Sequence, residues 1–339
     1  KFKAQQALNR SLQGKRVDYP KLEDAHDANR RKGDCTLFLT EGDSAASIAR
    51  EGVAILGKKK YGIYPLRGKV INVRDKSEAT VAGNREAEAV ARIIGLEHGV
   101  VYETTDGLRY SRVVVFTDQD NDGFHIKGLV INYIHYYWPS LLKLDFIQSF
   151  ATPVIKVIQG KKTTPFYSLQ EFSEWEKKNT SKSWKANYYK GLGTSTKAEA
   201  KEYFRNFFER LVSYKWEGRL KRSEISEDSP YVPRCKDLCE DSVTLLFDKS
   251  RAADRREWMK LYDPKMYIDS AKTEVTYHEF FNKEMMAYSI SSVERAIASI
   301  IDGLKPCQRK ILAACFKRNL KENVKLSQLA GYVGEQMAY

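Results

Sequence analysis

Three aspartates at every second position, Asp118, Asp120 and Asp122, are the residues of this chain best suited to chemistry. They follow an apolar, β-branched run that predicts a strand, and alternate side chains of a strand point to the same side. Like charges crowded at a strand end repel one another, which favours either a raised pKa or a bound cation. Hard carboxylate oxygens suit Mg²⁺ better than zinc or copper. The spacing therefore predicts a magnesium site.

Two alternative interpretations of these aspartates are a calcium loop and a solvated acidic turn. The pattern D-x-D-x-D-G also begins an EF-hand. An EF-hand loop needs a bidentate Glu at its twelfth position, where this chain has Leu129, and a helix before it, where the chain is strand-like. A solvated turn is the ordinary fate of an acidic run. A second acidic motif favours the metal site over both.

This second motif places Glu41 between a strand and a helix. Residues 36–39 are apolar, and they lead into Thr-Glu-Gly-Asp-Ser-Ala-Ala, in which Asp43 or Ser44 can cap the helix that follows. Ligand sites of open α/β sheets collect at the carboxyl ends of the strands. We therefore expect Glu41 to converge with the aspartates on one metal ion.

Five ordered motifs carry a family resemblance, and they are residues 41–45, 65–74, 118–123, 189–195 and 302–310. Together they resemble the TOPRIM region and the start of the winged-helix domain of type IIA DNA topoisomerases. Residues 18–25 and 328–333 are closer to eukaryotic topoisomerase II than to gyrase. The resemblance covers the chain from about residue 19 to its end.

The resemblance implies a reaction and its residues. A tyrosine hydroxyl attacks a DNA phosphodiester, the 3′-oxygen leaves, and a 5′-phosphotyrosine holds the broken end. Two Mg²⁺ sites are implied, with Glu41, Asp118, Asp120 and Asp122 as ligands. Glu41 can act as a ligand or as a general base, and both roles are open. Arg309 is implied as a further catalytic residue.

Duplex DNA is the implied partner, and basic residues are its implied contacts: Arg67, Lys69, Lys190, Lys305, Arg309, Lys310 and Lys325. The net charge of +13 favours a polyanionic partner, although a membrane surface would exert the same attraction. No run of 18 apolar residues and no secretory pattern occur in the sequence, so no membrane partner is expected. The glycine-rich loop after Lys190 lacks the residue order of an ATP-binding P-loop.

Patterning predicts an α/β fold with a mainly parallel sheet, followed by helices that fit helix-turn-helix geometry. The resemblance implies that these parts are a TOPRIM parallel-sheet domain and a mainly helical winged-helix portion. A helix is expected over 124–137 and a strand over 150–158. Four segments are expected: a linker at 1–32, the TOPRIM metal-binding domain at 33–215, an irregular connector at 216–270, and the start of the winged-helix domain at 271–339.

The last segment predicts two helices. Pro306 is well placed to begin the first, which runs to about residue 319. Its apolar stripe consists of Ile311, Leu312, Cys315 and Phe316. The second helix starts near Lys325, and the side chains expected to face inward are Leu326, Leu329, Val333 and Met337.

Other parts are implied to lie outside this chain. The nucleophilic tyrosine is expected beyond Tyr339, and the ATPase domain, which uses ATP, before residue 1, so this chain alone is expected to be inactive. The pair 109–110, Arg-Tyr, lacks the flanking pattern of the nucleophile. A homodimer, a topoisomerase-poison site beside the TOPRIM region and DNA, and a nuclear location with an organellar alternative are also implied. Alternatives are another TOPRIM enzyme, such as a primase or nuclease, and a non-catalytic DNA-binding scaffold.

Overall fold

The computed structural model describes the following parts of the chain: residues 17–30, 34–180, 183–189, 191–217 and 231–337. Lys190 and Tyr339 therefore lie outside the described residues. The chain divides into two compact units between Met286 and Ala287. Each unit is described by itself below.

Among the described residues, the first unit contains a six-stranded sheet and a separate three-stranded sheet. The strands are β1 (Thr36–Glu41), β2 (Tyr61–Leu66), β3 (Arg112–Phe116), β4 (Ile147–Phe150), β5 (Ile155–Gln159), β6 (Lys162–Phe166), β7 (Lys185–Tyr188), β8 (Leu211–Lys215) and β9 (Glu274–Thr276). The larger sheet has the order β2-β1-β3-β4-β8-β9, in which β8 pairs antiparallel with β4 and the other neighbours pair parallel. The predicted α/β fold with a mainly parallel sheet is confirmed.

Helices connect these strands and continue beyond them. They are α1 (Gly42–Leu56), α2 (Glu78–Ala82), α3 (Arg85–Ile94), α4 (Asn121–Tyr137), α5 (Leu169–Lys178), α6 (Lys197–Arg205), α7 (Phe207–Arg210), α8 (Leu238–Phe247), α9 (Ala252–Met259), α10 (Tyr277–Ala296), α11 (Pro306–Lys317) and α12 (Leu326–Gln336). Within the described parts of the chain, no helix has both the length and the apolar character needed to cross a bilayer.

The strand expected over 150–158 is two strands in different sheets. β4 ends at Phe150 in the large sheet, and β5 begins at Ile155 as the central strand of the antiparallel order β6-β5-β7. Thr152 and Pro153, which lie in the break between these strands, are buried as the strand residues are. Hydrophobicity alone therefore did not reveal the change of sheet.

The connector expected over 216–270 contains two helices, α8 and α9, instead of irregular chain alone. Asp241 and Arg251 are nearly fully buried and form an ion pair of 2.8 Å, which satisfies both charges inside the fold. Trp258 lies in a small core with Leu245 and Met286. Because these helices bury charged residues as an ion pair, their sequence does not show a clear apolar pattern.

The linker expected over 1–32 includes an anchored segment, residues 17–30. The backbone of Glu23 pairs with that of Ile63 at the free edge of β2 through two hydrogen bonds of 2.8 and 2.9 Å. The carboxylate of Asp24 accepts hydrogen bonds from the buried side chains of Arg109 and Tyr110. This segment is therefore part of the packing of the first unit.

The second unit contains the two predicted helices, α11 and α12, which pack together. Ala314 of α11 and Val333 of α12 are its buried apolar residues, and Arg318 lies over the ring of Tyr332 at 5.2 Å. Leu326, expected to face inward, is 81% exposed. That expectation is wrong because the contact with α11 lies further along α12, at Tyr332 and Val333.

The apolar stripe predicted for α11 is also more exposed than expected. Phe316 is 79% exposed, while Ile311 and Leu312 are near 40%. The helix itself begins at Pro306 as predicted and ends at Lys317, two residues earlier than expected. A pair of short helices offers too little surface to cover a whole stripe within this unit.

The packing of α1 on α6 generates a first prediction. An added Cβ at Gly52 would lie 2.3 Å from the ring of Phe204, which is buried beside Phe38. We expect Gly52→Ala to destabilise the protein by about 1–3 kcal/mol through overpacking. Urea unfolding measures this change.

Gly331→Ala is the matched control, because Gly331 is also helical and no atom lies within 4 Å of its added Cβ. Alanine in a helix interior ordinarily stabilises by up to about 1 kcal/mol relative to glycine. A stabilising Gly52→Ala change would show that the Phe204 contact does not constrain the core.

Candidate metal and DNA-binding site

Glu41 and Asp118 meet at the carboxyl edge of the large sheet. β1 and β3 are parallel neighbours, with Thr40 opposite Phe116, so the residues that follow both strands emerge side by side. The Glu41 carboxylate accepts a hydrogen bond of 3.2 Å from the backbone N–H of Asp118. Topology thus brings together two acidic residues that are 77 positions apart in sequence.

The three aspartates are not grouped by a strand, as their spacing predicted. β3 ends at Phe116, so Asp118, Asp120 and Asp122 do not alternate along a strand. Asp118 lies in the turn, Asp120 is the N-cap of α4, and Asp122 lies in the first helical turn. A strand-to-helix turn, and not the pleat of a strand, gathers the acids near the sheet edge.

Asp120 and Gly123 build this turn. The Asp120 carboxylate accepts a hydrogen bond of 2.8 Å from the Gly123 N–H, which is a standard N-cap. An added Cβ at Gly123 would lie 2.1 Å from the backbone carbonyl oxygen of Asp118. Glycine is needed here because the turn folds back on itself, and the capping bond occupies part of the Asp120 carboxylate.

The expected cap of α1 is wrong. The helix begins at Gly42, directly after Glu41, and no side chain caps its first turn. Asp43 and Ser44 lie inside that turn, and Asp43 forms an ion pair of 2.6 Å with Lys21. Because the helix starts two or three residues earlier than a cap at Asp43 or Ser44 would place it, Glu41 itself occupies the cap position.

A second loop holds Asp118 from the other side. The Leu192 N–H donates a hydrogen bond of 2.7 Å to Asp118 Oδ1, and an added Cβ at Gly191 would lie 2.5 Å from Asp118 Oδ2. Sequence reasoning assigned this glycine-rich loop to DNA contact and missed its role beside Asp118. The signal available was Gly191 itself, since glycines permit close approach.

Crowding disfavours ionisation of both acids. Burial raises the pKa of the Glu41 carboxyl to about 7, and the negative charges of the three aspartates add to the rise, while the hydrogen bond from Asp118 opposes it. Burial also raises the pKa of Asp118; the Leu192 N–H opposes that rise, and the charge of Asp120 adds to it. A cation between these carboxylates would relieve the repulsion.

The donor set fits Mg²⁺ rather than an all-protein cage. Within the described residues, no three His, Cys, Asp or Glu side chains are gathered closely enough to enclose a metal ion. Mg²⁺ is commonly held by one or two carboxylates, with water and substrate phosphate completing its shell. Glu41, Asp118 and Asp120 supply carboxylates of this kind at one edge.

Lys69 and Arg67 lie beside this edge. Lys69 Nζ is 2.7 Å from Asp122 Oδ1 and 3.1 Å from His125 Nδ1, so it compensates the charge of Asp122. Arg67 is exposed, and its backbone N–H donates to Glu86. The two predicted DNA-contacting cations therefore have different surroundings, and Lys69 already has a carboxylate partner.

The remaining predicted DNA contacts lie in the second unit, apart from Lys190, which is outside the described residues. Arg309 forms a two-pronged ion pair with Asp302, with shortest distance 2.7 Å. Lys305 is the exposed residue before α11, and Lys325 is the exposed residue before α12. Lys310 is half-buried on α11.

Tyr110 is unsuited to nucleophilic attack. Its side chain is fully buried, and its hydroxyl is engaged with Asp24 and with the backbone N–H of Ala25, at 2.9 Å. Burial raises the pKa of Tyr110, and the hydrogen bond to Asp24 raises it further. The burial and hydrogen bonds of Tyr110 support the expectation that the Arg-Tyr pair at 109–110 does not contain the nucleophile.

Three protein families match consecutive parts of the chain. The Toprim domain matches residues 36–150, the C-terminal associated domain of TOPRIM matches 150–228 and 233–293, and the family of the DNA gyrase/topoisomerase IV A-subunit matches 295–339. DNA topoisomerase 2-alpha of Homo sapiens is 44% identical over 360 residues, which span 100% of this chain and 22% of the human protein. The chain belongs to the DNA topoisomerase 2 family.

A viral relative and a solved structure show the same similarity. DNA topoisomerase 2 of Acanthamoeba polyphaga mimivirus is 42% identical over 95% of this chain and 29% of the viral protein. This chain also superposes on the crystal structure of the Plasmodium falciparum topoisomerase II DNA-binding, cleavage and re-ligation domain, with a TM-score of 0.82. The two sequences are 41% identical, and the match covers 96% of this chain and 43% of the Plasmodium chain. The chain spans less than a third of the length of these curated relatives.

The raised pKa of Glu41 generates a prediction about stability. Its folded pKa of about 7 exceeds its ordinary value of 4.5, so the folded state holds a proton that the unfolded state loses between these pH values. Glu41 therefore costs stability as pH rises from about 4.5, and the cost is complete above pH 7. We expect Glu41→Gln to have a higher melting temperature than the unsubstituted protein at pH 8 in EDTA, and a similar one at pH 4.

Thermal unfolding at the two pH values measures the difference. Glutamine keeps an oxygen that can accept from the Asp118 N–H, so the comparison isolates the charge. An equal difference at both pH values would mean that ionisation of the Glu41 carboxyl is not its source.

Proposed function

We propose that this chain supplies the metal-binding and DNA-binding parts of an ATP-dependent type II DNA topoisomerase. Such an enzyme cleaves both strands of one duplex, passes a second duplex through, and reseals the first. Membership of the DNA topoisomerase 2 family supports this function. The match of residues 295–339 to the gyrase/topoisomerase IV family supports it over a Toprim primase or nuclease.

The single observation that carries the proposal is the hydrogen bond of 3.2 Å that joins Glu41 to the Asp118 backbone. It holds the Glu41 carboxylate beside Asp118 at one sheet edge, where burial disfavours the ionisation of both acids. We propose Glu41, Asp118 and Asp120 as the residues that hold Mg²⁺, with Asp122 contributing to a second Mg²⁺ site. When bound, Mg²⁺ would stabilise negative charge on the phosphate and on the leaving oxygen.

The proposed reaction is a reversible transesterification. The oxygen of a tyrosine hydroxyl forms a bond to phosphorus, and the bond from phosphorus to the 3′-oxygen breaks. The proton lost by the tyrosine is balanced by the proton that the 3′-oxygen gains. With a pKa near 7, Glu41 can hold or release a proton at its carboxyl oxygen, which suits it to this 3′-oxygen. We propose that the attacking tyrosine lies outside the described residues.

DNA is proposed to be held mainly through its phosphates. Arg67 is the exposed cation beside the acidic edge, and Lys69 can exchange its partner Asp122 for phosphate. Lys190 is also proposed to contact a DNA phosphate, on the basis of its sequence motif. In the second unit, the residues that we propose as phosphate contacts are Lys305, Arg309, Lys310 and Lys325. Such contacts give affinity without reading sequence.

Further properties are proposed from the family resemblance. We propose a nuclear protein, with an organellar location as the alternative, that works as a homodimer in chromosome segregation and uses ATP through another domain. A site for topoisomerase poisons is proposed beside the TOPRIM region and DNA.

Substitution of the acids tests the proposed function. In the complete protein, Asp118→Asn and Asp120→Asn are expected to lower Mg²⁺-dependent DNA cleavage by about 100-fold or more, because charge stabilisation at the phosphate is lost. Asparagine is as good an N-cap as aspartate, so Asp120→Asn keeps the start of α4. Cleavage of supercoiled plasmid measures the loss.

DNA affinity in EDTA, measured by fluorescence anisotropy, is expected to change by less than about twofold, because cations and not carboxylates hold the phosphates. Asp106→Asn is the control: Asp106 is exposed and precedes β3, at the opposite end of that strand from Asp118. Cleavage near the normal rate by both Asp118→Asn and Asp120→Asn would refute the assignment.

A further inference from the structure

One carboxylate, that of Glu199, ties together both ends of the loop that holds Asp118. Before the loop, the Tyr189 hydroxyl donates a hydrogen bond to Glu199 Oε1. After the loop, Glu199 Oε2 accepts from Thr196 twice, from its N–H at 2.9 Å and from its Oγ1 at 2.8 Å. The loop between these two anchors includes Leu192, the donor to Asp118.

We infer that Glu199 and Tyr189 are positioning residues for the metal-binding carboxylate of Asp118. The inference rests on the proposed function, which makes Asp118 a ligand. Neither residue contacts Asp118 directly; they act through the loop, whose Leu192 N–H fixes one oxygen of Asp118 at 2.7 Å. Residues that orient metal ligands in this way commonly change metal affinity by about 10–100-fold when substituted.

Hydrogen bonds close the described part of the loop, residues 191–195. Thr194 bonds back to the Gly191 carbonyl through its N–H at 3.1 Å and its Oγ1 at 2.7 Å. The Ser195 N–H donates to the Leu192 carbonyl at 3.1 Å. Residues 191–195 therefore form a closed turn, and we expect its position to depend on how the flanking residues are anchored.

Hydrogen bonds, assisted by a buried lysine, keep the Glu199 anchor charged. Lys156 of β5 is 6% exposed, and its Nζ lies 3.5 Å from Glu199 Oε1 and 4.7 Å from the ring centre of Tyr203. Burial alone would raise the pKa of Glu199, but the hydrogen bonds from Tyr189 and Thr196, together with the charge of Lys156, lower it to about 2. Glu199 therefore accepts hydrogen bonds as an anion.

The helix that carries Glu199 has other means of attachment. Phe204 and Tyr203 of α6 are buried in the core that also contains Phe38 and Phe116. These apolar contacts attach α6 to the large sheet without help from Glu199. A loss of Glu199 is therefore expected to loosen the loop and to leave the sheet and its core intact.

Glu199→Gln and Tyr189→Phe, made in the complete protein, test the inference. Glu202→Gln is the matched control, because Glu202 also contacts Lys156, at 3.3 Å, but is 63% exposed at its side chain and does not contact the loop. Tyr189→Phe removes a single hydroxyl and is the milder variant if Glu199→Gln folds poorly. Gly191→Ala serves as a positive control that displaces Asp118 directly.

Two readouts separate positioning from general stability. Hydrogen exchange is expected to rise about tenfold or more at the Leu192 amide in Glu199→Gln, and less in Tyr189→Phe, with no change in β1 and β3. Mn²⁺ affinity, measured by calorimetry without DNA, is expected to fall by about 10-fold or more in Glu199→Gln. Glu202→Gln should match the unsubstituted protein in both measurements.

Exchange that rises equally across the sheet, or a Leu192 amide unchanged in Glu199→Gln, would overturn the inference. Retention of Mn²⁺ binding by Asp118→Asn would instead refute the proposed metal site, while the exchange measurement still decides whether Glu199 positions the loop. Loss of Mn²⁺ binding in Asp118→Asn, with normal binding in Glu199→Gln, would refute positioning alone.

Discussion

Burial of two neighbouring carboxylates at the ends of adjacent parallel strands, together with their mutual repulsion, is the constraint on which the site depends. Glu41 and Asp118 are held close by the pairing of β1 with β3, and both acquire raised pKa values mainly because they are partly buried. Without a bound cation, ionisation of these two acids lowers the stability of the fold. The proposed Mg²⁺ site gives the repulsion a function, since a cation converts it into attraction.

The surrounding backbone makes the crowding tolerable. Glu41 stands at the start of α1 and Asp120 at the start of α4, where the positive end of each helix dipole favours negative charge. The N–H groups of Asp118 and Leu192 each donate to one of the crowded carboxylates. These donors have fixed directions, so they stabilise the charge of each carboxylate and fix the position of one of its oxygens.

Local patterning was enough to predict the strands before Glu41 and Asp118 and their meeting at one sheet edge. It gave the wrong reason for the grouping of the three aspartates, because a strand and a strand-to-helix turn can share the same spacing. The helices over 238–259 were missed because Asp241 and Arg251 are buried as a pair. Polarity in a sequence does not distinguish a solvated charge from a compensated one.

Long-range contacts set the other limit of prediction. Nothing near Asp118 in sequence indicates that Leu192, 74 positions later, holds its carboxylate. In α12, periodicity marked Leu326 as inward, but periodicity defines a face and not the neighbour that covers it. A glycine such as Gly191 is the one local signal of a close approach, and its neighbour becomes known when the chain is folded.

The most direct test of a cation between the crowded carboxylates is anomalous diffraction from crystals of the protein grown with Mn²⁺ and a short DNA duplex. An anomalous peak is predicted within about 2.5 Å of a carboxylate oxygen of Asp118 and of a second acid, Glu41 or Asp120. The same crystals of Asp118→Asn should lack the peak. A Mn²⁺ peak remote from Glu41 and Asp118, or one that persists unchanged in Asp118→Asn, would contradict the central claim.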